Sequence, residues 1–188
     1  MGGVYLRFKA PEKMDKMLKT LPSEVLREIR RYEIGDITFP QLIANFGGTL
    51  PGMKPGGKTA DILGDKDENI ITAIEKLRDH GGLTIGLLSN VGFSDENFSE
   101  TDVSRVDKGH FDVIVESCRV NLRKPDPRIF VLTAEKVGVT PEECVFLDDL
   151  WANCKSAEAC GMTAIEVVRG DSKSAVKKLE RLLGKELL

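Results

Sequence analysis

The sequence predicts an α/β protein with a doubly wound parallel sheet, because short apolar segments alternate with helical segments from Gly82 onward. The apolar segments have the length of buried strands, and turn residues separate them from the helices. Such alternation is typical of parallel strands joined by helices that cover both faces of the sheet. The predicted strands are Leu83–Leu88, Asp112–Val115, Val145–Leu147 and Thr163–Val168.

The helices between these strands carry local start and stop signals. Asp67 is a plausible N-cap for a helix that ends at Gly81. A second helix begins at Asp126-Pro127, with proline at its first position, and ends at Gly138. The last two predicted helices are Trp151–Cys160 and the segment that contains Ala175, Val176, Leu179, Leu182 and Leu183.

The N-terminal part of the chain has a different sequence pattern. From about Ala10 to Phe46, apolar residues recur at helical spacing with loop breaks between them. A loop rich in glycine and proline follows, from Gly47 to Gly64. We therefore expect a small helical lobe next to the sheet domain.

Composition narrows the class of protein. The chain has 188 residues, enough for one core with a small lobe, and its net charge of −3 gives no reason to expect nucleic acid as a partner. No apolar run approaches the roughly 20 residues that span a bilayer, so we expect no membrane span and a cytoplasmic protein. The four cysteines are predicted to be free thiols, without the spacing of a zinc site: Cys118, Cys144, Cys154 and Cys160.

Polar residues follow the predicted strands where ligands of parallel sheets bind. Ser89-Asn90 ends one strand and Asp148-Asp149 ends another. Between them, Lys124 precedes a proline, which disfavours a helical conformation at the lysine and leaves its side chain free to reach sideways. The acids could bind Mg²⁺, and Lys124 could neutralise a transferring phosphoryl group. Each feature alone is also explained by a turn or a surface residue; the ordered set is more specific.

These three segments resemble motifs of the haloacid dehalogenase (HAD) superfamily. Leu87-Leu88-Ser89-Asn90 resembles its second motif, Arg123-Lys124-Pro125-Asp126-Pro127 its third, and Val145 to Asn153 its fourth. The stretch from His110 to Val168 is similar to the N-terminal phosphatase domain of soluble epoxide hydrolases. It is also similar to the HAD-like domain fused to some acyl-CoA dehydrogenases.

The N-terminus departs from that pattern. Family members open with an apolar strand that ends in the nucleophilic Asp, whereas this chain reads Met1-Gly2-Gly3-Val4, as if it began directly after that residue. The resemblance then implies a central first strand missing from the sheet. It divides the chain into a remnant of the first motif (1–7), a helical cap (8–66) and a HAD core (67–188). Gly2 also stands where many HAD phosphatases have a second Asp as general acid and base.

The resemblance implies a Mg²⁺-dependent phosphate monoester phosphatase that forms an aspartyl-phosphate and is inactive without its nucleophile. It assigns catalysis to Lys124 and Asp148 and the metal to Asp149. The implied substrate is a small phosphorylated metabolite or a lipid phosphate. The open slot in the sheet would favour self-association. The resemblance also assigns substrate binding to Ser89, Asn90, Lys124, Gly2 and Gly3.

Other functions stay open at this point. The chain could be a non-catalytic HAD-fold binding or regulatory module, or a truncated gene product. A lesser alternative is a nucleotide triphosphatase, because Gly52–Thr59 fits the P-loop pattern with Val145–Asp148 as its second strand. That pattern needs a strand before it and a helix after it, and the flanking residues favour neither.

Overall fold

The protein is described from a computed structural model. The ranges it describes are residues 2–9, 20–46, 63–101, 103, 106–169 and 171–188. The strands are β1 (Leu6–Phe8), β2 (Leu63–Lys66), β3 (Gly86–Ser89), β4 (Val113–Glu116), β5 (Val145–Asp148) and β6 (Thr163–Glu166). The helices are α1 (Ser23–Glu33), α2 (Phe39–Phe46), α3 (Glu68–His80), α4 (Ser117–Val120), α5 (Pro127–Val137), α6 (Trp151–Ala159) and α7 (Ser172–Leu183).

The strands pair two by two within the described ranges. β3 runs parallel to β4, with Leu88 opposite Val115, and β5 runs parallel to β6, with Asp148 opposite Glu166. Direct pairing of β3 with β5 would contradict the predicted vacant slot between them. Within the described ranges these two strands belong to different strand pairs and do not pair with each other. That a central strand belongs in the slot, and that the slot promotes self-association, both stay predictions.

Helices cover both faces of the parallel strands. On one face, Ile70 and Ile74 of α3 and Val176 of α7 are buried in the same apolar cluster as Leu87 of β3. On the other face, Ile129 and Phe130 of α5, together with Ala157 of α6, pack against Leu88. Because Leu87 and Leu88 point to opposite faces, β3 is buried on both sides, as a strand of a doubly wound sheet must be. The predicted fold class is confirmed.

Helix boundaries follow the local signals closely. The Asp67 carboxylate accepts hydrogen bonds from the backbone N–H groups of Asn69 and Ile70, and Asp126 caps α5 through the N–H of Arg128. Gly138 ends α5 in the left-handed conformation that glycine adopts without strain. Strand boundaries are less accurate. β3 begins at Gly86 rather than at Leu83, and β6 ends at Glu166, two residues before the predicted end.

β1 and β2 were not predicted. They pair antiparallel, with Leu6 opposite Lys66, and their short and partly polar sequences carry no alternation that would reveal them. The end of the proposed cap segment, 63–66, thus pairs with the N-terminal strand. The domain boundaries at 7 and 66 stay predictions.

The helical lobe, residues 20–46, has its own small core. Val25 and Tyr32 of α1 pack with Phe39 and Leu42 of α2. Hydrogen bonds join the lobe to the sheet domain: the buried Ser117 hydroxyl donates to the carbonyl of Glu33 at 2.5 Å. The remaining residues proposed for the cap, 10–19 and 47–62, lie outside the described ranges.

An Asp67→Ala substitution should lower the free energy of unfolding by about 2–3 kcal/mol. Besides capping α3, the Asp67 carboxylate accepts hydrogen bonds from Ser172 at 2.8 Å and from Arg7 at 3.0 Å, so its loss affects α3, α7 and β1 together. Urea unfolding followed by circular dichroism measures the change.

The matched control is Asp171→Ala at the start of α7, where an exposed carboxylate caps the helix through the N–H of Ser174. It removes a cap without a buried network and should shift the urea midpoint less. Equal shifts in the two variants would show that the Asp67 network adds nothing beyond capping.

The cysteines and the helices can be compared with what composition predicted. All four cysteines are free thiols, as predicted, and burial raises the pKa of Cys118 and of Cys154 to about 11. Within the described ranges, none of the helices is both long and apolar enough to cross a bilayer. The cytoplasmic location stays a prediction.

Candidate functional site

The backbone of Lys124 is fixed by Asn90. The lysine lies in the turn before α5, and its peptide bond to Pro125 is cis. The Asn90 side chain accepts a hydrogen bond from the N–H of Lys124 at 2.8 Å and donates one to its carbonyl at 3.0 Å. This two-point contact ties the turn to the end of β3. Asn90 therefore positions Lys124 in this structure, and its predicted contact with substrate stays a prediction.

The Lys124 ammonium bridges the ends of β3 and β5. Its Nζ lies 2.6 Å from Oδ2 of Asp148 and donates to the carbonyl of Leu88 at 3.1 Å. Both charged residues are buried, with Lys124 5% exposed and Asp148 3% exposed. The lysine thus binds to two strands that do not pair with each other, at the edge of the sheet where the sequence predicted the site.

Both carboxylate oxygens of Asp148 are engaged. Oδ2 binds Lys124, while Oδ1 accepts hydrogen bonds from the Leu150 N–H at 2.9 Å and from the Asn153 side chain at 2.8 Å. Burial acts to raise the pKa of Asp148, but the charge and hydrogen bond of Lys124, with the other two donors, outweigh it and lower the pKa. Asp148 is therefore an ionised residue that holds Lys124; a direct catalytic role for it stays a prediction.

Asp149 has the opposite character. Its side chain is 8% exposed, and burial, followed by the neighbouring charge of Asp148, raises its pKa. Two adjacent carboxylates at a strand end are costly unless a cation compensates them. The assignment of the metal to Asp149 stays a prediction.

Gly3 lets the Asp149 carboxylate pack closely against the backbone of the N-terminal turn. It adopts a positive φ of +82°, and a Cβ built on it would clash with that carboxylate. A side chain at residue 3 would therefore displace the acid. The Gly3 N–H itself donates to the Leu6 carbonyl at 2.7 Å, and Gly2 forms a parallel bridge with Leu6. Their predicted contacts with substrate stay predictions.

The Asp149 carboxylate fits Mg²⁺ only as a partial donor set. Mg²⁺ takes oxygen ligands, keeps several waters and is often held by one or two carboxylates. Asp149 supplies one such oxygen donor. Across the part of the chain that the structure describes, however, no third acid, histidine or cysteine completes a metal-binding cluster with Asp148 and Asp149.

Ser89 ends β3 opposite Glu116 and is 2% exposed. The sequence predicted that Ser89 lies at the same sheet edge as Lys124. In the structure Ser89 does lie there, at the end of β3 and next to Asn90. Its hydrogen bond to a phosphoryl group stays a prediction. Asn153 was predicted only as part of the fourth motif, and its contact with Asp148 now gives it a structural role.

A half-buried ion pair next to the site was not predicted. Arg123, adjacent to Lys124, donates to Glu33 of the helical lobe at 2.6 Å. Burial raises the pKa of Glu33, although Arg123 opposes that effect. The pair ties the lobe to the turn that carries Lys124. Nothing local in the sequence connects positions so far apart.

The proposed P-loop, Gly52–Thr59, lies outside the described residues. The next element that the structure describes is the strand β2, beginning at Leu63, rather than a long helix as the P-loop pattern requires. Asp148, its proposed partner acid, is bound to Lys124.

Comparison with known proteins now identifies the family. The sequence-family model of haloacid dehalogenase-like hydrolases matches residues 60–161, more than half of the chain. The chain belongs to the haloacid dehalogenase-like hydrolase family. The match spans all three strand-end segments described above.

Curated relatives agree with this assignment. The chain is 42% identical over 112 residues to the mouse acyl-CoA dehydrogenase family member 10. The aligned residues make up 60% of this chain and 10% of that protein. It is 43% identical over 79 residues to the bifunctional epoxide hydrolase 2 of Sus scrofa, 42% of this chain and 14% of that protein. A shorter match, 38% identical over 58 residues, is to a fructose-1-phosphate phosphatase of Escherichia coli and spans 31% of each chain. The chain thus covers a small part of the longer relatives.

A solved structure shares the fold. A HAD family enzyme from Bacteroides thetaiotaomicron, in complex with magnesium and inorganic phosphate, aligns with a TM-score of 0.60 over 91% of this chain and 92% of that chain. Sequence identity is 24%, so this likeness concerns the fold alone.

Proposed function

We propose that this chain carries the phosphate- and metal-binding part of a Mg²⁺-dependent phosphate monoester phosphatase that works through an aspartyl-phosphate. The observation that carries the proposal is the buried Lys124 ammonium, held between the Leu88 carbonyl and Asp148 beside a second acid, Asp149. A fixed cation of this kind stabilises charge on a transferring phosphoryl group without reorganisation during the reaction. The phosphatase relative supports the same chemistry.

Each residue has a distinct task in this proposal. Lys124 binds the phosphoryl oxygens, and Asp148 and Asn90 hold the lysine in place. The Ser89 hydroxyl donates a further hydrogen bond to the phosphoryl group. Asp149 holds Mg²⁺, which when bound neutralises phosphoryl charge.

The covalent step needs a carboxylate nucleophile. Its oxygen would attack phosphorus while the ester P–O bond breaks and the alcohol leaves; water would then hydrolyse the acyl phosphate. Gly3 lies against Asp149, so a residue placed directly before this N-terminal turn would be within reach of the same site. The general acid expected at Gly2 is missing, so leaving groups that need no protonation should react fastest.

The proposed substrate is a small phosphorylated metabolite or a lipid phosphate in the cytoplasm. A second candidate is a non-catalytic module that binds phosphate and metal without turnover. Gly2, at the position where many HAD phosphatases have a general acid, favours this alternative. An activity assay on a chain extended by a nucleophile separates the two.

Binding of inorganic phosphate with MgCl₂ tests the site directly. In ¹H–¹⁵N NMR titrations of the whole chain, the amide signals of Asn90 and Lys124 should shift with phosphate, and that of Asp149 with Mg²⁺. Gly3→Ala should weaken Mg²⁺ binding about tenfold, because its Cβ would displace the Asp149 carboxylate.

The matched control is Gly138→Ala. Gly138 also has a positive φ, +86°, but a Cβ there meets nothing within 4 Å, so the substitution adds backbone strain without touching the site. If both variants bind Mg²⁺ equally well, Asp149 at its position against Gly3 is not the metal site. If phosphate shifts neither Asn90 nor Lys124, the proposed phosphate site is wrong.

A further inference from the structure

Arg169 supplies a second cation at the site, from a loop with no motif. It follows β6, and its Nη2 lies 3.7 Å from Oδ2 of Asp149. The guanidinium carbon also lies over the Phe8 ring, 5.5 Å from the ring centroid. The Arg169 side chain is 24% exposed, whereas that of Asp149 is 8% exposed. The arginine is thus the more exposed member of this ion pair.

The contact differs from the one made by Lys124. The ammonium of Lys124 touches Asp148 at 2.6 Å, whereas 3.7 Å between Arg169 and Asp149 exceeds the 2.7–2.9 Å or so of a charge-assisted hydrogen bond. Arg169 thus compensates the charge of Asp149 without saturating its oxygens. An ion pair of this length is more easily exchanged for another cation.

We propose that Arg169 is a built-in counter-cation of the metal ligand, which competes with Mg²⁺ for Asp149 and gives way when the metal binds. Two adjacent buried carboxylates need compensation in the absence of metal, and Lys124 is already committed to Asp148. Once Mg²⁺ binds Asp149, a guanidinium at the same carboxylate is repelled by the metal charge. The inference rests on the proposed metal site and adds a residue that lowers its affinity for metal.

Mg²⁺ binding to the whole chain tests this without any activity assay. MgCl₂ is titrated at constant ionic strength while NMR follows the amide signals of Gly3 and Asp149. Arg169→Gln should bind Mg²⁺ about threefold to tenfold more tightly than the parent chain, as expected for loss of a partly exposed charge. Arg169→Met, which keeps an apolar stem over Phe8, should do the same and serves if the first variant fails to fold.

The matched control is Arg119→Gln. Arg119 also pairs with a carboxylate, that of Glu116 at 2.7 Å, and also stacks over a ring, that of Phe93 at 5.4 Å, but lies on α4. Its loss should leave Mg²⁺ affinity unchanged.

The outcomes separate this inference from the proposed function. If Asp149→Asn abolishes Mg²⁺ binding but the Arg169 variants bind as the parent chain does, or more weakly, Arg169 is no competitor and the metal site stands. If Asp149→Asn binds Mg²⁺ as well as the parent chain, or if no variant binds it, the metal site itself is wrong and the role of Arg169 falls with it.

Discussion

A chain extended by an apolar strand ending in Asp before Met1 should show Mg²⁺-dependent phosphatase activity well above that of residues 1–188 alone. Loss of a covalent nucleophile typically lowers the rate constant by on the order of 10⁴-fold or more. Lys124 and Asp149 could give only electrostatic help to a bound ester without it. Both forms are assayed with an aryl phosphate, with and without Mg²⁺.

An aryl phosphate suits the test because its leaving group needs little protonation, and Gly2 is predicted to stand at the general-acid position. Asp149→Ala in the extended chain should remove the gained activity. Equal rates in the original and extended chains would contradict the nucleophile assignment. No activity in either would favour the non-catalytic module or point to Gly2. Adding Gly2→Asp to the extended chain distinguishes those two outcomes.

The strand-end chemistry could be predicted from sequence because it depends on local order. An apolar run followed by Asp148-Asp149 places two acids at the edge of a parallel sheet wherever the strand lies in that sheet. Which acid would bind the metal was predicted only through the resemblance, and that assignment stays a prediction. In the structure, Lys124 and Asn153 engage Asp148, whereas Asp149 lies against Gly3 and near Arg169.

Features that depend on long-range pairing were missed. β1 and β2 are short, and β2 reads Leu-Gly-Asp-Lys, so their strand conformation comes from pairing with each other rather than from propensity. Arg169 and the pair of Glu33 with Arg123 carry no motif either. Helix caps were predicted well because an aspartate or a glycine acts on backbone groups within a few residues.

Lys124→Met should be the most destabilising single substitution at the site, lowering the free energy of unfolding by about 3–5 kcal/mol at about pH 7. It leaves the Asp148 carboxylate, 3% exposed, without its cation. Replacing both partners, as in Lys124→Met with Asp148→Leu, should recover most of the loss, because a buried pair is costly chiefly when one member is removed. Urea unfolding of the two single variants and the double variant gives the coupling between the residues.

The matched control is Lys155→Met, which breaks a pair of similar length on an exposed face, 2.7 Å from Lys155 to Glu158. It should leave the unfolding midpoint nearly unchanged, since exposed pairs contribute little. A large shift here would show that lysine loss destabilises the chain wherever it occurs.

The effect of Lys124→Met should shrink as the pH falls toward about 4. The folded pKa of Asp148 lies below its ordinary value of 3.8, so its ionised form stabilises the native protein above that pH, and this stabilisation is lost as the pH falls through the folded pKa. Without Lys124, only the hydrogen bonds from Leu150 and Asn153 oppose the effect of burial, so the pKa of Asp148 should rise and mild acid should reduce the penalty by protonating the acid. A destabilisation that stays constant with pH would mean that Lys124 acts through packing rather than through its charge on Asp148.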